Sequence, residues 1–161
     1  MDIGTLYFFC GKMGAGKTTH SRKLAAQENA VLISEDEWLA QLFPEQIETL
    51  DDYVLYSARM RPLVEAHVKN ILATGTDVVL DFPANTEKQR QWFKRIYESA
   101  QAKGLMIYIE ASDERCLEQL GKRNIEQPER AVFDNETVFR QVTSFFQEPA
   151  DSEGFDIKVI S

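Results

Sequence analysis

The sequence predicts an α/β fold in which helices cover both faces of a parallel sheet. Three observations lead there. Short apolar runs of strand length alternate with longer segments of helical period along the chain. The first run, Leu6-Tyr7-Phe8-Phe9-Cys10, is apolar at successive positions, the pattern of a strand buried on both faces. A glycine-rich turn follows it directly and feeds a helical segment, as a strand-to-helix crossover requires.

Element by element, the first strand stops at Gly11 and a helix runs over residues 17–27. Residues 30–33 form a second short strand, and Glu35–Leu42 a short helix that ends before Pro44. Residues 61–73 carry Leu63, Val64, Val68, Ile71 and Leu72 at helical spacing, with Pro62 near the start and Gly75 after the end. Val78-Val79-Leu80 is a third strand, closed by Asp81. Thr86-x-x-Gln89 is a capping box. It opens a helix with Trp92, Phe93, Ile96, Tyr97 and Ala100 on its core face, stopped by Gly104. Residues 105–109 form a fourth strand. Ser112 or Asp113 caps a helix to about Arg123, Pro128 interrupts, residues 135–146 form another helix, and Ile157–Ile160 is the last strand. Phe139, Phe145 and Phe146 join the expected core, and His67 is a packing or surface residue.

The 161 residues fit one domain over residues 1–161. No apolar run reaches membrane-spanning length, and no signal peptide is read at the N-terminus. Cys10 and Cys116 stand in no metal or redox spacing and read as ordinary buried thiols of a reducing cytoplasm. The net charge of −8 argues against a protein that grips nucleic-acid phosphates through a basic stripe, although an acidic whole leaves room for a small basic groove.

Parallel strands joined by right-handed crossovers bring their C-terminal ends to one rim, where ligands bind. Gly11, Ser34 and Asp81 each follow a predicted strand, so they converge there. Gly11-Lys12-Met13-Gly14-Ala15-Gly16-Lys17-Thr18 matches G-x-x-x-x-G-K-[ST] in full, between a strand and a helix. Its glycines let backbone N–H groups turn inward around phosphate oxygens, and the helix N-terminus adds a positive dipole end. With Thr19, these residues form the expected ATP site. Lys17 reaches the β- and γ-phosphates, and the Thr18 hydroxyl takes one position on Mg²⁺.

Other residues supply candidate chemistry. Asp36 follows the second strand in Ser34-Glu35-Asp36-Glu37-Trp38 and suits an acceptor-orienting carboxylate; the alternative is a first-turn acid that complements the helix dipole, with Ser34 as cap. Glu35 and Glu37 are expected to face solvent. Asp81 ends a hydrophobic strand in Walker B fashion, a Mg²⁺ residue by that pattern, or else a turn residue before Pro83. Arg123 and Arg130 flank a polar segment and are either a cationic lid or surface arginines on helix ends. Tyr53, Tyr56, Arg59 and Arg61 lie where an acceptor pocket would form.

The phosphate loop, the segment Ile33-Ser34-Glu35-Asp36-Glu37-Trp38, the run from Val78 to Asp81, and Lys122-Arg123-Asn124 together resemble the small P-loop kinases. Those kinases include predicted kinases of the AAA_33 type, chloramphenicol-type phosphotransferases and the kinase domain of phage polynucleotide kinase. The resemblance implies a three-layer fold with a five-stranded parallel sheet in the order 2-3-1-4-5 and a mobile lid around residues 122–135. It implies an ATP-dependent phosphotransferase acting on a hydroxyl of a small molecule. Asp36 falls on the carboxylate that activates the acceptor hydroxyl, while Lys17, Arg123 and Arg130 serve the transferring group. The chain departs from polynucleotide kinase at Glu35 and Leu39, where that enzyme has arginines. It departs from adenylate kinases at Ala84, which follows Phe82-Pro83. These departures point to a neutral or cationic acceptor instead of a phosphorylated one. A polynucleotide 5′-hydroxyl kinase and an ATP-hydrolysing switch module are the alternatives.

Overall fold

The apolar run that opens the chain forms β1, Thr5–Cys10, and takes the middle of the sheet. The structure, a computed structural model, describes residues 2–161, and the side chains of Arg130 and Val132 lie outside that description. After β1 come α1 (Lys17–Glu28), β2 (Val31–Ser34), α2 (Glu35–Leu42), α3 (Leu50–Ala73), β3 (Val78–Asp81) and α4 (Glu87–Ser99). Then follow β4 (Lys103–Ile109), α5 (Asp113–Glu126), a 3-10 helix over Pro128–Val132, α6 (Glu136–Thr143) and β5 (Ile157–Ile160). All pairings are parallel, in the order β2-β3-β1-β4-β5 that the resemblance implies.

Strand periodicity divides the core between two layers. Leu6, Phe8 and Cys10 face one side with Val64, Val68, Leu72, Phe93 and Ile96 from α3 and α4. The rings of Phe8 and Phe93 stack with centroids 4.4 Å apart. Phe9, Val79, Ile107 and Ile109 face the other side with Ala25, Cys116, Leu120 and Phe139 from α1, α5 and α6. Both cysteines are free and buried, and burial pushes the Cys10 thiol up to about 11.

Four expectations change. First, α3 begins at Leu50, not at Arg61, and Pro62 lies inside it. Thr49 caps it in a box with Asp52, a signal carried by Asp in place of Glu or Gln. Proline removes one helix hydrogen bond, but buried Ser57, Met60, Val64, Val68 and Leu72 keep one face packed on either side of it. Second, Gly104 is not a helix stop. α4 ends at Ser99, and Gln101, at φ 56°, makes the turn. Gly104 instead pairs with Leu6 inside β4. Third, α6 ends at Thr143. Fourth, Phe145 is exposed and Phe146 half-buried, whereas Phe139 is fully buried. Trp92 and Phe93 are buried as expected, with Tyr97 packed beside them.

Gly104 has a packing reason. A Cβ there would lie 2.4 Å from the Tyr97 ring. Gly104→Ala is therefore expected to lower stability by about 1–3 kcal/mol through overpacking, read as a fall in melting temperature. An unchanged melting temperature would show that Tyr97 moves aside freely.

Arg90 carries no local sequence signal, yet it is fully buried. Its guanidinium meets both oxygens of Glu153, Nε to Oε1 at 2.7 Å and Nη2 to Oε2 at 3.1 Å. Its Nη1 donates to the Ala84 carbonyl at 3.0 Å. A bidentate pair of this kind anchors the approach to β5 against the β3–α4 connection.

Candidate active site

The rim forms as predicted. Register sets Ser34 opposite Asp81, and β1 delivers its chain into the loop over residues 11–18 next to β3. Gly14 and Gly16 have φ of 81° and 102°, values that side chains rarely adopt. A Cβ on Gly14 would also meet the Cys116 carbonyl of α5 at 2.6 Å. Gly16 is the N-cap of α1 and offers no side-chain cap, which leaves the first helical amides for an external anion.

Lys12, in the loop, donates to Asp113 of α5 at 2.9 Å, while Met13 packs against the second core layer. Thr19 is exposed on the first turn of α1. The Gly11 amide is taken by a residue that sequence reasoning missed: it donates to Asn85 Oδ1 at 2.9 Å. A cavity of about 440 Å³ opens beside Lys12, lined by Tyr108, Glu110, Ser112, Phe146 and Glu148. It lies on the β4 side of β1, across the loop from Asp81.

Lys17 is half-buried. Burial pushes its ammonium below the usual lysine range, against the pull of Asp81 first, then Cys10, Asp36 and Glu35. These carboxyls come from β3 and α2, so one lysine stands where the phosphate loop and the β2–α2 turn meet. Thr18 Oγ1 donates to Asp81 Oδ2 at 3.3 Å. Burial raises the Asp81 carboxyl above its ordinary value, and Lys17 opposes that rise. Two hard oxygens this close are a donor set that would suit Mg²⁺. Among the described residues no three His, Cys, Asp or Glu side chains form a cage.

Asp36 is exposed at the mouth of this group, with the Tyr53 hydroxyl donating to Oδ1 at 3.4 Å. Ser34, not Asp36, caps α2, accepting from the Glu37 amide at 3.4 Å. Glu37 is exposed and pairs with Arg22 at 3.1 Å, as a solvent-facing acid does. Glu35 overturns its expectation. It is 1% exposed, and Ser57 of α3 donates to its Oε2 at 2.5 Å. Its Oε1 is buried without a hydrogen-bond partner. Burial pushes its carboxyl up to about 7, assisted by Asp36 and opposed by Ser57 and Arg61. The folded chain thus holds this proton more tightly than the unfolded chain. The stability it contributes is complete below about pH 4.5 and is lost as pH rises through about 7. The loss expected is about 3 kcal/mol. Glu35→Gln should flatten that part of a stability–pH curve; an unchanged slope would place the proton elsewhere.

Arg61 lies over the Trp92 ring at 4.8 Å and Arg59 over Tyr56 at 5.3 Å. Arg123 is held by buried Asp134, Nε to Oδ2 at 2.7 Å. Arg130 belongs to the 3-10 helix, with its side chain outside the described residues. Among the described residues no helix is long and apolar enough to cross a membrane.

Comparison with known proteins bears on this arrangement. A shikimate kinase of Coxiella burnetii is 32% identical over 128 residues, 76% of this chain and 64% of that protein. The chain spans between 54% and 64% of the length of the first curated relatives it matches. A structure from Chloroflexus aurantiacus with a provisional kinase assignment superposes at a TM-score of 0.78 and 19% identity, covering 99% of this chain and 86% of that one. A chain of the Pnkp1/Rnl/Hen1 RNA repair complex superposes at 0.66 and 22% identity, covering 91% of this chain and 47% of that one. These structures share the fold. Residues 6–149 match the model of the AAA domain family AAA_33, and the chain belongs to that family.

Proposed function

We propose that the protein is an ATP-dependent phosphotransferase that moves the γ-phosphoryl group to a hydroxyl of a small molecule in the cytoplasm. One observation carries this reading: Lys17 of the phosphate loop stands among Asp81, Asp36 and Glu35, so phosphate-binding and acceptor-facing groups share one centre. The residues at 11–19 hold the phosphates, and the cavity beside Lys12 leaves room for the nucleoside on the β4 side. Thr18 and Asp81 would hold Mg²⁺, which supplies charge neutralisation on the phosphates when bound. Asp36, exposed and steadied by Tyr53, orients the acceptor hydroxyl and takes its proton.

Residues 122–135 form the lid in this reading, with Arg123 and Arg130 as its cations. Arg123 reaches the phosphates only once its pair with Asp134 parts. The acceptor side gathers Glu35, Asp36 and Asp81, which favours an uncharged or cationic acceptor over a polynucleotide. The kinase names of the relatives support the reaction class. A screen of hydroxyl compounds with [γ-³²P]ATP, including amino alcohols, sugars and a 5′-hydroxyl oligonucleotide, tests it. A labelled small molecule is the expected product. Release of phosphate alone, across every acceptor, would make the protein a nucleotide-hydrolysing module instead.

A further inference from the structure

Three segments meet at Asn85, on the connection between β3 and α4. Its side-chain Oδ1 accepts the Gly11 amide at 2.9 Å, at the root of the phosphate loop. Its own amide donates to Gln89 Oε1 at 2.8 Å, inside the box that starts α4. Its carbonyl accepts the amide of Gln147 at 2.8 Å, just beyond α6. Gln147 is tied a second time, its Oε1 accepting the Glu87 amide at 2.9 Å. The residue before Asn85 is fixed as well, since buried Arg90 holds the Ala84 carbonyl. Asn85 thus sits on a rigid support and bonds one element on each side of it.

The Gly11 amide is the first of the loop, and it points at Asn85 and not into the phosphate cradle. Its bond fixes where the chain leaves β1, and every later loop amide inherits that placement. On the other side, Gln147 carries the chain leaving α6, which follows residues 122–135. The geometry points to Asn85 as a positioning residue that couples the exit of α6 to the phosphate loop. This rests on the proposed nucleotide site, because the loop is the element positioned.

Consequences differ from those of an ordinary turn residue. Loss of the side-chain oxygen frees the Gly11 amide, and the loop widens at its root. The same loss loosens the Asn85 backbone and so the Gln147 amide that its carbonyl accepts. Occupation of the loop tightens both bonds together.

Amide hydrogen exchange on the full chain, with ADP-Mg as the probe, tests this. Without nucleotide, Asn85→Ala is expected to speed exchange at Gly11 and Gln147 by about tenfold or more each, with Phe8 in β1 unchanged as a control for folding. With ADP-Mg, exchange at Gln147 is expected to slow in the wild type and not in Asn85→Ala, whose ADP-Mg affinity falls about tenfold. Asn85→Asp keeps the accepting oxygen and is expected to restore slow exchange at Gly11. Free exchange at Gly11 alone in Asn85→Ala would overturn the coupling, as would a Gln147 response to ADP-Mg that survives in that variant. Absence of ADP-Mg binding by the wild type would overturn the nucleotide site itself and with it this inference. Retained binding with an unresponsive Gln147 would overturn the coupling alone.

Discussion

Lys17→Ala is expected to abolish phosphoryl transfer, by about 10³-fold or more, with a smaller loss of nucleotide affinity. Backbone amides of the loop and the α1 N-terminus still bind phosphate without the lysine. In the proposed reading the ammonium is the group that follows charge onto the transferring oxygens. Its surroundings suit that task. Burial disfavours its charge, and Asp81, Asp36 and Glu35 favour it, so the cation is partly stripped of water yet held in place. Transfer measured from [γ-³²P]ATP, beside a titration with ADP-Mg, separates the two effects. Undiminished transfer would remove Lys17 from the site and with it the reading of the loop. The carboxyls also set a test of mutual dependence. Asp81→Asn removes the strongest support of the Lys17 charge. The two substitutions together should therefore cost less than their separate losses combined.

The phosphate loop was legible because its chemistry is contiguous: eight neighbouring residues, a strand before and a helix after. Convergence of Gly11, Ser34 and Asp81 was legible at one remove, since parallel strands have a common C-terminal rim whatever the side chains are. The register of Ser34 with Asp81 bears this out. What failed to show did so for physical reasons. Pro62 hid the first three turns of α3, so Tyr53 and Ser57 had no assigned face. Once the helix starts at Leu50, Tyr53, Ser57 and Arg61 fall four residues apart on one stripe, from which Tyr53 and Ser57 bond Asp36 and Glu35 of α2. Burial of Glu35 follows from that stripe and not from its own surroundings in sequence, which are those of an exposed first-turn acid. Arg90 and Asn85 were hidden more deeply, because their partners lie sixty to eighty residues away. Nothing in a local pattern distinguishes a buried arginine from one on a helix surface. Charge pairing across such separations belongs to the tertiary fold.

Asp36 decides between a phosphotransferase and a protein that only binds nucleotide. In the proposed reading the loop, Lys17, Thr18 and Asp81 serve phosphate and metal, and a hydrolysing switch needs no more than these. A kinase also has to orient a hydroxyl in line with the phosphorus, which requires an acceptor close by and able to take the proton. Asp36 is exposed, where an acceptor can meet it, and with Ser34 as the cap of α2 its structural alternative is to complement the helix dipole from the first turn. Asp36→Asn keeps the shape of the side chain and an oxygen for the Tyr53 hydroxyl, so the wall between α2 and α3 should stand. ADP-Mg affinity is expected to stay nearly intact, and the transfer rate to fall by roughly 10²–10⁴-fold, the range of a positioned acid–base group. A first-turn acid that only complements the helix dipole behaves oppositely: its loss costs about 1 kcal/mol of stability or less and leaves the rate alone. A binding titration, a melting curve and a rate on one variant separate the two, since each moves a different observable. A normal transfer rate in a slightly less stable Asp36→Asn protein would strike Asp36 from the site. Phosphoryl transfer would then need another base, and Glu35, buried against Ser57, has no open path to an acceptor.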